Sequence, residues 1–142
     1  MASLAGELIT YLKTQSDVTD LVGSGTAARI YRHLAKQGVS LPYIVMRIYE
    51  GVSYRHLSAI TGIRTNRVQV VCYAATDDGA DQLAEAVRLS VDHYRGTMGT
   101  TDILDIEGES VEPGFEPPVK GGNQRRYWHS RDFVFTYREA TS

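Results

Sequence analysis

The stretch from Arg64 to Tyr94 constrains the chain most, because its hydrophobic period changes once, abruptly. Val68, Val70 and Cys72 alternate with Arg67, Gln69 and Tyr73. That is the period of a strand with one apolar and one polar face. Val71 interrupts the alternation and predicts an outer face that is also partly covered. From Ala80 onward the apolar residues fall three and four apart, at Ala80, Leu83, Ala84, Val87, Val91 and Tyr94. That is the stripe of an amphipathic helix. Thr76 or Asp77 can cap its start, acids there suit the positive end of the dipole, and Gly96 is expected to end it. A half-buried strand feeding an amphipathic helix needs a helix layer packed on a sheet. Purely helical and purely β architectures are thereby excluded.

The rest of the chain supplies the partners. Leu4, Ala5, Leu8, Ile9 and Leu12 predict a helix over residues 3–14, and Ser16 is placed to cap a further short turn through Leu21 that Gly23 would end. Residues 23–26 read as a loop and Arg29–Arg32 as a short strand. Pro42 opens a strand over Tyr43–Tyr49, rich in β-branched and aromatic residues. Residues 51–62, bounded by glycines between two strands, read as a long hairpin arm. A strand is predicted over 102–112, with Ile103, Leu104, Ile106 and Val111 as its apolar set. A loop is predicted over 113–124, since 113–123 holds three prolines and three glycines. A long last strand, Arg125–Arg138, carries Tyr127, Phe133, Phe135 and Tyr137 on one face. The three strands before the second helix are joined by short or hairpin connections, so antiparallel pairing is expected. The expected class is α+β: a mixed, mostly antiparallel sheet of four to five strands, two helices on one face, and the arm. Residues 1–142 read as a single domain.

The 142 residues, 42% hydrophobic and 23% charged, suffice for a core without a disulfide or metal. Cys72 is the one cysteine, so no internal disulfide forms and a reducing compartment is expected. The first residues lack a signal peptide's basic and apolar regions. No apolar run reaches the ~20 residues of a membrane span. A soluble, cytoplasmic, non-membrane protein is the expectation. Net charge is −2, but it is unevenly spread: +4 over residues 1–75, −9 over 76–116 and +3 over 117–142. These charges either neutralise one another within the fold or meet across copies, where complementarity fixes register.

Chemistry is sparse. His33, His56, His93 and His129 never lie within ten residues of one another, so no helical ligand pair exists and no metal is expected. Cys72 on an apolar strand face lacks the electropositive setting of a nucleophile. No phosphate-cradling glycine loop and no Gly-x-Ser-x-Gly elbow occurs. Neither catalysis nor a cofactor is expected. Asp105, Glu107 and Glu109 alternate and project from one strand face, an arrangement suited to a solvated or electrostatic interface. Acid–base work by these three is the distant alternative. Arg125, Arg126, Tyr127, Trp128, His129 and Arg131 mix basic and aromatic residues as single-stranded nucleic-acid platforms do. The acidic balance, with a pI near 6.1, opposes that reading.

Three stretches, in order, carry a resemblance. They are Leu41-Pro42-Tyr43-Ile44-Val45; Arg67 to Thr76 running into Leu83 to Arg88; and Asp132 to Glu139. With the opening helix and its continuation Asp17 to Gly23, the chain resembles the tail completion or tail terminator proteins of tailed bacteriophages over nearly its whole length. The resemblance implies a minor tail protein of the virion, made in the host cytoplasm. It would form a homo-oligomeric ring, usually a hexamer, at the head-proximal end of the tail tube. Such a ring stops tube polymerisation and offers a surface to the head-tail connector, and DNA passes through it without sequence-specific binding. Another neck component, such as a head-completion protein, is the neighbouring alternative, and a small nucleic-acid-binding module the more distant one. No catalytic residues carry over. Residues 51–62 and 113–124 are longer than the family pattern requires. The candidate interface is therefore Tyr54, Arg55, Leu57 and Ile60 in the arm; Asp105, Glu107 and Glu109 on the acidic strand; Phe115 and Lys120 in the loop; and Arg125 and Arg126 beyond it.

Overall fold

A computed structural model of the chain describes residues 4–35, 38–49, 63–116 and 126–138. Among these residues three α-helices, α1 (Leu4–Leu12), α2 (Ser16–Val22) and α3 (Asp77–Val91), pack on one sheet. Its strands are β1 (Ile30–Arg32), β2 (Tyr43–Tyr49), β3 (Ile63–Ala74), β4 (Gly96–Met98), β5 (Thr101–Glu116) and β6 (Arg126–Arg138). Their spatial order is β1-β2-β3-β6-β5-β4. The class is α+β, as the periods predict, with six strands among the described residues instead of four to five.

Strand register explains the core. Ile44 faces Cys72, Met46 faces Val70, and Val68 faces Phe133, so one face is apolar across three strands. Leu8, Leu12, Val18, Val22, Leu83, Val87 and Val91 close that face from the helix side. Phe133 and Phe135 are fully buried there; each side chain contributes about 1.5–3 kcal/mol relative to exposure. On the opposite face Val45 and Val71, register partners, are also buried. The break at Val71 therefore does mark a covered outer face. Tyr43 and Tyr73 stack on it with ring centroids 4.7 Å apart.

Several expectations need correction. β1 pairs parallel to β2, not antiparallel, because residues 33–42 are long enough to run back beside the short β1. The segment after α1 is a third helix, and Ser16 is its first residue. Gln15 takes the cap position, with no side-chain bond. Gly23 does end that helix, at φ +91°. Thr76 caps α3 by accepting from the Gly79 N–H at 3.0 Å. α3 stops at Val91, short of Gly96. Asp92 turns extended, and the His93 N–H donates to the Ile106 carbonyl at 2.8 Å, so the chain joins the sheet edge there. Tyr94 still packs on the core, edge-on to Tyr11. Gly96 instead begins β4, which turns into β5 through Gly99 and Thr100.

The largest correction concerns β5, which runs to Glu116 and takes in Pro113 and Gly114 from the expected loop. Pro113 is tolerated because, beyond β4, this side of β5 has no neighbouring strand among the described residues. Gly114 is needed because the Trp128 ring lies across it, and a Cβ there would fall inside that ring. The arm at 51–62, the rest of the loop at 117–124 and Arg125 lie outside the described residues.

Candidate interaction surfaces

β5 holds the candidate acidic face. Register places Asp105 opposite Thr136 and Glu107 opposite Val134, both on the outer face. A bulge between Ile103 and Asp105 lets Ile103 and Ile106 both point inward although they are three apart. Glu109 continues the outer series and pairs with Arg67 of β3 at 2.7 Å. Asp105 lies 3.9 Å from His93 and 4.0 Å from Arg95. The alternation read from sequence thus holds, and two of its three acids have cationic neighbours within the chain.

Past a second bulge between Gly108 and Val111, the character of β5 changes. Val111 is 50% exposed and Phe115 59% exposed, although register puts them on the face that is core elsewhere. α3 packs on β3 and β6 rather than on this part of β5. Val111, expected in the apolar set of the strand, is therefore not a core residue. Phe115 makes a tilted ring contact with Tyr127, centroids 6.2 Å apart. On the outer face of the same segment stand Glu112 and Glu116.

The basic–aromatic strand β6 is largely neutralised from within. Arg126 pairs with Glu116 at 2.7 Å and donates to the Tyr43 hydroxyl at 3.2 Å. Asp77, Asp81 and Glu85 project four residues apart along α3 towards it. His129 meets Asp77 at 2.9 Å, and Arg131 meets Glu85 at 3.0 Å. Both are mostly buried, which argues against this strand as a nucleic-acid platform. Glu85 is held below the usual carboxylate range, chiefly by its hydrogen bond from Arg88. Cys72 is wholly buried, and burial pushes its thiol up to about 12, far from nucleophilic use. Among the described residues no group of His, Cys, Asp and Glu could hold a metal ion. No helix among them is long and apolar enough to cross a membrane.

Glu7 was missed in the sequence. It lies on α1, only 5% exposed, and accepts from the Thr100 N–H at 2.9 Å and the Thr100 hydroxyl at 2.6 Å. It clamps the β4–β5 turn against the helix, where Gly99 sits at φ +62° and a Cβ would meet the carboxylate. Burial pushes this carboxyl up, but hydrogen bonds from Thr100 and Thr101 outweigh it and hold the group below its ordinary value. The available signal was an acid three residues after Leu4 and one before Leu8, on the apolar stripe.

Of the other candidates, Tyr54, Arg55, Leu57, Ile60, Lys120 and Arg125 fall outside the described residues. At one end of the strands lies an open cleft of about 1160 Å³ that sequence reasoning did not foresee. Its lining includes His33, Leu34 and Val39 of the β1–β2 connection, Arg47, and Tyr73.

A sequence model of the family described as tail completion protein gp17 matches residues 6–108. No curated protein matches the chain. Among solved structures, the fold is similar to a chain in the virion of a native gene transfer agent particle. The TM-score is 0.63 at 10% identity, covering 94% of this chain and 95% of that one.

Proposed function

The chain belongs to the tail completion protein gp17 family, and from that premise we propose that it is a structural, non-enzymatic virion protein forming a ring at the head-proximal end of a phage tail tube. The ring, a hexamer in this reading, ends tube polymerisation and presents a joining surface to the head-tail connector. DNA passes through it without sequence-specific contact. Its partners are copies of itself, the tube protein and the connector.

One observation carries the reading: the family match begins within α1 and ends within β5, taking in all the described elements between them. The likeness to a chain of a virion particle, over nearly its full length, supports the same reading at the level of fold. The candidate interface fits such a ring. Head-to-tail contacts join one patch to a different patch on the neighbour, and this chain carries oppositely charged segments.

Deletion of the gene from its phage is the test. Overlong tubes with intact heads are expected, and gold-labelled protein should sit at one tail end only. Normal tubes with heads that leak DNA would assign the chain to head completion instead. Label along the whole tube would sink the capping role.

A further inference from the structure

Between α1 and the β4–β5 turn runs an open groove of about 560 Å³. Tyr11 and Tyr94 wall it, edge to face with centroids 4.9 Å apart, and the buried Met98 lines it. Its hydroxyls all face one way in hydrogen bonding. Thr10 donates to the Gly6 carbonyl at 2.9 Å, and Thr14 to the Tyr11 carbonyl at 2.6 Å. The Tyr11 hydroxyl donates to the Ser90 carbonyl at 2.6 Å, and the Tyr94 hydroxyl to the Thr97 carbonyl at 2.9 Å. Thr100 donates to the Glu7 carboxylate. Each partner is a carbonyl or carboxylate oxygen, which fixes the direction of the bond. Five hydroxyls along the groove therefore direct their protons into the chain. A hydroxyl whose proton is committed can only accept from anything that enters.

Glu7 adds a charge behind those hydroxyls. Its Oε1 takes both bonds from Thr100. Its Oε2 is shut off from water and accepts no complete hydrogen bond. Thr101, which also favours the ionised form, approaches without completing a bond to Oε2. No Lys, Arg or His among the described residues forms an ion pair with Glu7, and none of them lines the groove. A buried carboxylate with one oxygen unanswered favours a cation beside it, the more so where the surroundings are poorly polarisable.

The groove thus combines acceptors, an unpaired negative charge and apolar walls, and holds no cation of its own among the described residues. We propose that it binds a primary ammonium on an apolar stem, the lysine side chain of a neighbouring protein in the assembly. The stem lies along Tyr11, Tyr94 and Met98, as long cationic side chains cover apolar surface while their heads reach polar atoms. The ammonium's donors meet the separated oxygens of the groove. A guanidinium suits the site less, because its planar fork matches both oxygens of one carboxylate and Glu7 has already given Oε1 to Thr100. The inference stands apart from the ring reading, since the groove is complete within one chain.

Titration of the full chain with n-butylammonium, followed by amide chemical shifts, tests it. Saturable shifts are expected along α1 and at residues 97–100. n-Butanol, its uncharged twin, should bind about tenfold more weakly, and Glu7→Gln should weaken the ammonium by about the same factor. A second comparison leaves Glu7 untouched. Thr97→Lys places an ammonium in the groove from within, so it should abolish binding of the probe. Its denaturation midpoint should also exceed that of Thr97→Met, the nearest uncharged side chain. Equal binding of the two probes, or equal midpoints for Thr97→Lys and Thr97→Met, overturns the ammonium site. On the phage, Thr97→Lys should fold yet assemble poorly, and Thr97→Ser should assemble normally. Normal assembly of Thr97→Lys overturns the partner's lysine and leaves a site for free amines only. A chain that forms no ring would sink the ring reading and leave the titration unchanged.

Discussion

The two halves of β5 follow one rule and meet opposite fates. In the first half Ile103 and Ile106 point to the helix side and are fully buried. In the second, Val111 and Phe115 point the same way and are half-exposed or more. The strand itself does not differ in kind. What differs is the layer above it: Ile103 and Ile106 share one core cluster with Leu8, Val91 and Met98, whereas at the level of the second half α3 lies over the neighbouring β6, with Asp77 at His129 and Glu85 at Arg131. A strand's alternation therefore decides which way a side chain points, and the helix layer decides whether pointing that way means burial. The match to the tail completion family ends at Gly108, where the covered half gives way to the open one.

The sharpest way to break this comparison is to empty the covered half. Ile106→Ala removes a fully buried side chain between β6 and the helices, where little can collapse into the gap. A loss of about 2–5 kcal/mol is expected by chemical denaturation. A loss below about 1 kcal/mol would mean that the covered half is not core.

Gly114→Ala comes next and probes how the open half is fastened. The new methyl must displace the Trp128 ring, and overpacking of this kind costs about 1–3 kcal/mol. Trp128 is the one tryptophan in the chain, so its emission reports the displacement directly. A variant with unchanged emission and midpoint would show that the ring does not hold this segment.

The sequence already carried the elements that a period can encode. The alternation of β3, the stripe of α3 with its Thr76 cap, and the aromatic face of β6 are all local patterns, and all three formed. The acidic alternation at Asp105, Glu107 and Glu109 was legible for the same reason. The parallel β1, the strand path through Pro113 and Gly114, and the exposure of Val111 were not. Each depends on what lies beside the segment in space: a returning connection, the end of a neighbouring strand, an indole ring, a helix that packs on the strands next door. Glu7 lay between these cases. Its place on an apolar stripe was visible, but its partners at Thr100 are more than ninety residues away.

Glu7 offers a smaller, pH-dependent effect at the start of the covered half. Its folded-state pKa is held below the ordinary value of 4.5, so the clamp's stability is fully present above that value. It is lost as the pH falls below 4.5 through the lower folded value. Glu7→Gln should flatten that part of a stability profile taken from about pH 6 to about pH 3. A profile that keeps its acid limb would transfer the effect to other carboxylates and detach the β4–β5 turn from α1.

The smallest expected effect is the most informative one. Val111→Ser trades an exposed apolar side chain for a polar one of the same reach, with no cavity to leave. The folding free energy, read by chemical denaturation, should change by no more than about 0.5 kcal/mol. Ile106→Ala, on the same strand and face, should instead cost several times as much. If Val111→Ser destabilised the isolated chain as much as Ile106→Ala, the open half would already be covered within one copy. The contrast between the halves would then be one of residues rather than of coverage.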